Sequence, residues 1–125
     1  QSSNILLISL VSNISLNKHD TEYKADDVIA FECKNLSAVL VKRVVGEPGD
    51  QVVIRERKLY VNGHLFERYA QNEFEYAGML DRPIRLSEDQ YIVIGDNIVE
   101  SKDSRYELVG IVEEDGIIGK VIERN

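Results

Sequence analysis

The sequence is poor in basic residues, in sulfur and in long apolar runs, and each shortage excludes something. Lys and Arg total 15 against 22 Asp and Glu, a formal charge of −7. Nucleic-acid binding needs clustered cations that displace counterions, so no nucleic-acid partner is expected. Cys33 is the only cysteine, which rules out an internal disulfide. It follows Ile29 and Phe31 at a spacing of two, the pattern of a small buried hydrophobe rather than a catalytic thiol. Cys33, His19 and His64 are the only Cys and His side chains, and their spacing suggests no metal site. No metal or cofactor is expected. The longest early apolar run, "ILLISLV" at 5–11, has seven residues, whereas a membrane-crossing helix needs about 20. No basic stretch precedes it, so it does not read as a signal peptide. The chain opens at Gln1. We read it as one domain, 1–125, and as a fragment of a longer protein.

Sustained helical periodicity is missing too. Short apolar runs broken by turn residues dominate, which predicts a mostly β fold. The expected strands are 13–17, 28–33, 39–45, 51–54, 58–61, 91–94 and 116–122. Asn62-Gly63 marks a tight hairpin turn into "HLFE". This many short strands in a small domain predicts a folded sheet or a partly open barrel. Residues 67–90 are polar and poorly periodic, with Tyr69, Phe74, Tyr76 and Met79 scattered through them. They read as a long loop or irregular insertion, either functional or a plain cover.

What is present is a lysine in an unusual place. "KRVVGEPGD", residues 42–50, sets Lys42 among Val39, Leu40, Val41, Val44 and Val45. In a strand, Leu40, Lys42 and Val44 share one face. Burial disfavours the ammonium, and a lysine tuned down this way serves as a general base. The alternative is a stem that reaches out to water. A second stretch, "GDNIVESKDSR" at 95–105, follows an apolar run and is dense in turn formers. Asp96, Asp103 and Arg105 are candidates for ion pairs. Ser101 and Ser104 are candidate partners for an amine. An ordinary polar turn has the same composition.

Together the two stretches resemble type I signal peptidases. "KRVVGEPGD" is similar to their lysine box, and "GDNIVESKDSR" to the C-terminal box written GDN-R-x-x-S-x-D-S-R. "DDVIAFE", "LYVNG" and "IIGKV" also fit the pattern. Order and spacing agree from about residue 13 to the C-terminus, most loosely over 67–90. The resemblance implies a membrane-anchored serine peptidase with a Ser/Lys dyad on a signal-peptidase-like β fold. Such enzymes cut exported precursors at the outer face of the membrane. By this resemblance Lys42 takes the general-base position and Ser101 orients its amine. Arg43, Asp96, Asp103 and Arg105 brace the site, and Gly95 lies where the backbone packs close to it. The partner implied is an extended peptide or exported precursor, bound as an added strand, with the membrane surface nearby. The short domain suggests a Gram-positive source.

The nucleophile box, S-M-x-P-T-L in the family, has no counterpart. Aligning "NISLNK" at 13–18 to the following strand puts the nucleophile at Ser3, 39 positions before Lys42, but the next residues read "NILLI". Ser2, Ser12 and Ser15 are weaker alternatives. Asp20 and Asp27 do not substitute, because a carboxylate beside Lys42 would keep it protonated. Ile98 stands where the family often has arginine. The reading favoured here is a signal-peptidase-like protein with impaired cleavage, similar to pilus-associated members that serve pilin polymerisation. The alternative is a working peptidase with a divergent serine segment. A self-cleaving Ser/Lys repressor is disfavoured, because Ala77-Gly78 follows Lys42 instead of preceding the nucleophile.

Overall fold

Residues that alternate in sequence become strands here, and the strands stack into two antiparallel sheets. The structure is a computed structural model describing residues 14–17 and 22–123. Its strands are β1 (Ile14–Asn17), β2 (Val28–Cys33), β3 (Ala38–Gly46), β4 (Gln51–Arg55), β5 (Lys58–Val61), β6 (His64–Leu65), β7 (Ile84–Arg85), β8 (Gln90–Ile94), β9 (Val112–Glu113) and β10 (Ile117–Glu123). One sheet has the order β1-β10-β2-β3-β8-β9 and the other β6-β5-β4-β7. Neither closes into a barrel. Among the described residues there is no α-helix, only short 3₁₀ turns, and no helix long and apolar enough to cross a membrane.

Turn chemistry sets the strand connections. Pro48 and Gly49 link β3 to β4, with Gly49 at φ +90 and Asp50 N donating to Glu47 O at 2.9 Å. That is the proline-then-glycine order a type II turn prefers. Asn62 and Gly63, at φ 54 and 82, make the left-handed hairpin turn from β5 to β6.

At β3 and β8 the larger sheet is buried on both faces. On β8, Ile92 and Ile94 join the inter-sheet core with Val52, Ile54 and Leu59, while Tyr91 and Val93 join a second core with Ile29, Phe31, Leu40 and Val44. Each such side chain contributes about 1.5–3 kcal/mol when fully buried. Cys33 belongs to the second core and donates from Sγ to Leu108 O at 3.3 Å. Residues 67–90 are irregular in backbone, as expected, yet they are not a detachable cover. Tyr69, Phe74, Leu80 and Leu86 are all in the inter-sheet core, and β7 pairs with β4. Neither β7 nor β9 was expected from the sequence, since two residues carry no periodicity.

Candidate active site

Lys42 lies on β3, opposite Ile29 of β2. Its face holds Leu40 and Val44, both in the second core. The amine is therefore part-buried. Nζ donates to Ser101 Oγ at 3.0 Å. Burial drives the Lys42 amine below the ordinary lysine range; Asp103 opposes this, and Arg105 and Lys102 lower it further. An amine so placed gives up its proton more readily than a surface lysine.

Gly95 makes that contact possible. β8 ends at Ile94, which is paired with Arg43, so the next residue falls beside Lys42. A Cβ at Gly95 would sit 2.1 Å from Ser101 Oγ and 3.5 Å from Lys42 Nζ. Any side chain there would push Ser101 away.

The stretch after Gly95 is held by two ion pairs. At its start, Arg43 Nε and Nη2 reach Asp96 Oδ1 and Oδ2, both at 2.8 Å. Arg43 holds the Asp96 carboxyl below the usual range, helped by the Tyr69 hydroxyl and opposed by burial. At its end, Arg105 Nε donates to Asp103 Oδ1 at 2.8 Å and Nη2 to Oδ2 at 2.9 Å. Both residues are buried, Asp103 at 0% and Arg105 at 2% exposure, so each depends on the other. Asp103 Oδ2 also accepts from Gly95 N at 3.0 Å. Arg105 Nη2 donates to Ile98 O at 2.9 Å. Ser104 Oγ accepts from Val93 N at 2.9 Å, tying the stretch to β8 and not to any amine.

Lys42, Arg43, Gly95, Asp96, Ser101, Asp103 and Arg105 are thus gathered around the end of β8. Ile98 is an inter-sheet core residue. Asp27 is not beside Lys42; its Oδ2 accepts from Lys24 N at 2.8 Å and lies 3.5 Å from Lys120 Nζ. Ser15 lies in β1. Ser2, Ser3, Ser12, Asp20 and the 5–11 run lie outside the described residues. Gly78, at φ +56, packs against Arg105 O. Three participants were missed in the sequence: Tyr69, Arg68 and Asp26. The available signal was the scatter of Tyr69, Phe74, Tyr76 and Met79 through an otherwise polar segment.

Residues 4–124 match the family described as signal peptidase, peptidase S26. This chain belongs to that family. Among its relatives, a probable signal peptidase I-2 from Synechocystis sp. is 36% identical over 76% of this chain and 42% of its own length. Signal peptidase I P of Bacillus subtilis subsp. natto is 36% identical over 82% of this chain and 59% of its own. The chain thus spans about half the length of these signal peptidases. A crystal structure of a signal peptidase I from Enterococcus faecalis aligns with a TM-score of 0.64 and 27% identity, covering 85% of this chain and 98% of that one. The two-sheet architecture is therefore a signal peptidase I fold.

Proposed function

We propose that this domain is the extracytoplasmic, substrate-handling part of a membrane-anchored, signal-peptidase-I-like protein. It takes exported precursors, pilins among them, as extended peptides at the outer face of the membrane. The observation that carries the reading is the Lys42 amine, part-buried beside an apolar face and 3.0 Å from Ser101 Oγ. In this reading Lys42 holds the general-base position and Ser101 orients it. Arg43, Asp96, Asp103 and Arg105 brace the pair, Gly95 gives it clearance, and Ser3 holds the nucleophile position. β3 adds support. Among the described residues, its 38–42 stretch pairs only with β2, because pairing to β8 begins at Arg43. An incoming peptide can add there as a strand.

The residues after Ser3 read "NILLI" in place of the M-x-P-T-L that shapes the turn and cleft. We therefore read cleavage as impaired, with the domain kept for binding precursors during pilus assembly. The lysine side favours a second reading, an active peptidase. There the neutral Lys42 amine takes the serine proton, the oxygen attacks the scissile carbonyl, and a backbone N–H stabilises the oxyanion. The protonated amine then supplies the leaving amine's proton, and water hydrolyses the acyl-enzyme.

The test is cleavage of a pilin or signal-peptide substrate by the domain in lipid, beside Lys42→Ala and Ser3→Ala. Binding without cleavage supports the impaired reading. Cleavage lost in both variants establishes the active one. Neither binding nor cleavage rejects both.

A further inference from the structure

The 3₁₀ turn Glu67–Tyr69 reaches both sides of Arg43. Arg68 Nε donates to Asp26 Oδ1 at 2.8 Å, and Arg43 Nη1 donates to Asp26 O at 2.7 Å. The Tyr69 hydroxyl donates to Asp96 Oδ1 at 2.9 Å, the oxygen that also accepts Arg43 Nε. Tyr69 is 3% exposed, so the packed ring fixes where its hydroxyl meets Asp96, whose own side chain is 58% exposed. Its ring stacks on Phe66, with centroids 5.9 Å apart, and meets Phe74 edge-on at 6.0 Å. Phe74 in turn lies 5.4 Å from the Arg105 guanidinium. One aromatic column therefore joins the two ion pairs that bound the 96–105 stretch. A carboxylate gripped by a bidentate arginine and a buried phenol has a single orientation available.

We propose that Tyr69 is a positioning residue: its hydroxyl fixes Asp96 against Arg43 and so holds the start of the 95–101 loop where Ser101 meets Lys42. The inference rests on the reading of Lys42 and Ser101 given above. A turn in a loosely patterned segment thereby sets the geometry of a lysine 27 positions earlier.

The test is Tyr69→Phe, which keeps the ring and removes one hydroxyl. Lys42 is titrated by carbon-13 NMR of its ε-carbon. The charged groups that act on its amine, Asp103, Arg105 and Lys102, are unchanged in the variant, so a displaced midpoint reports a moved loop. The expected result is a midpoint shifted up toward an ordinary lysine, as the loosened loop admits water. The matched control, Tyr91→Phe, removes another buried hydroxyl, bonded to Glu114. It is expected to lower the melting temperature without moving that midpoint. If the domain cleaves peptide, Tyr69→Phe lowers kcat near neutral pH on the order of tenfold with KM held, and raising the pH recovers the rate. Coincident Lys42 midpoints in wild type and Tyr69→Phe overturn the proposal, whether or not cleavage occurs. A wild type that does not cleave rejects only the active-peptidase reading, and the titration still judges Tyr69.

Discussion

At the scale of the residue, Lys42 is a stability cost held in place by its surroundings. Its folded-state pKa lies below the unfolded 10.5. Between those two values the unfolded chain binds more protons, so wild-type stability rises with pH across that window. Below the folded value both states are protonated, and the partly desolvated ammonium weighs fully against folding. Lys42→Met carries no such charge. We expect it to be more stable than wild type at neutral pH, with the advantage shrinking as pH climbs toward 10.5. Urea unfolding from about pH 6 to about pH 10 measures this. A difference that stays flat with pH would reject the desolvation argument. Gly95 is the counterpart: it contributes by what it lacks, since the space a Cβ would fill is taken by Ser101.

At the scale of the element, the 95–105 stretch is held from within by Asp103. That carboxylate accepts from Gly95 N and from the Arg105 side chain inside the core. Asp103→Ala leaves a guanidinium buried without its anion and an amide without its acceptor. The expected loss is about 3–5 kcal/mol by chemical denaturation. Asp103→Ala combined with Arg105→Met should recover part of it, because the stranded charge goes too. Strands were legible in the sequence where residues alternate: β2 and β5 fall on the expected residues 28–33 and 58–61. β7 and β9 were not legible, because their pairing is decided by the neighbours they meet. The same division holds near Lys42. The two stretches that meet there stand out as motifs. Tyr69, Arg68 and Asp26 do not, because their bonds span 27 and 42 positions from a segment with no period.

At the scale of the whole molecule, acid is the exposed flank. With 22 carboxylates against 15 cations, protonation removes bonds across the fold. Asp96 is the clearest case. Its pKa is lowered, chiefly by the Arg43 hydrogen bonds, so its contribution is present above the unfolded value of 3.8 and is lost as pH falls through the folded value. Asp96→Asn should cost no more than about 1 kcal/mol at neutral pH, since the carboxylate is largely exposed. The two proteins should converge in stability at the acid end of a pH series of thermal melts. A gap that persists there would mean the residue acts by packing and not by charge.

The pairs that join the two ends of this site are far apart along the chain: Lys42 and Ser101 by 59 positions, Arg43 and Asp96 by 53. Closing such loops is slow compared with forming a hairpin such as β4–β5. Until β8 docks on β3, Lys42 is an ordinary protonated lysine in water. Its lowered basicity therefore arrives last, as a property of the finished fold, because the burial that lowers the pKa does not exist in the nascent chain.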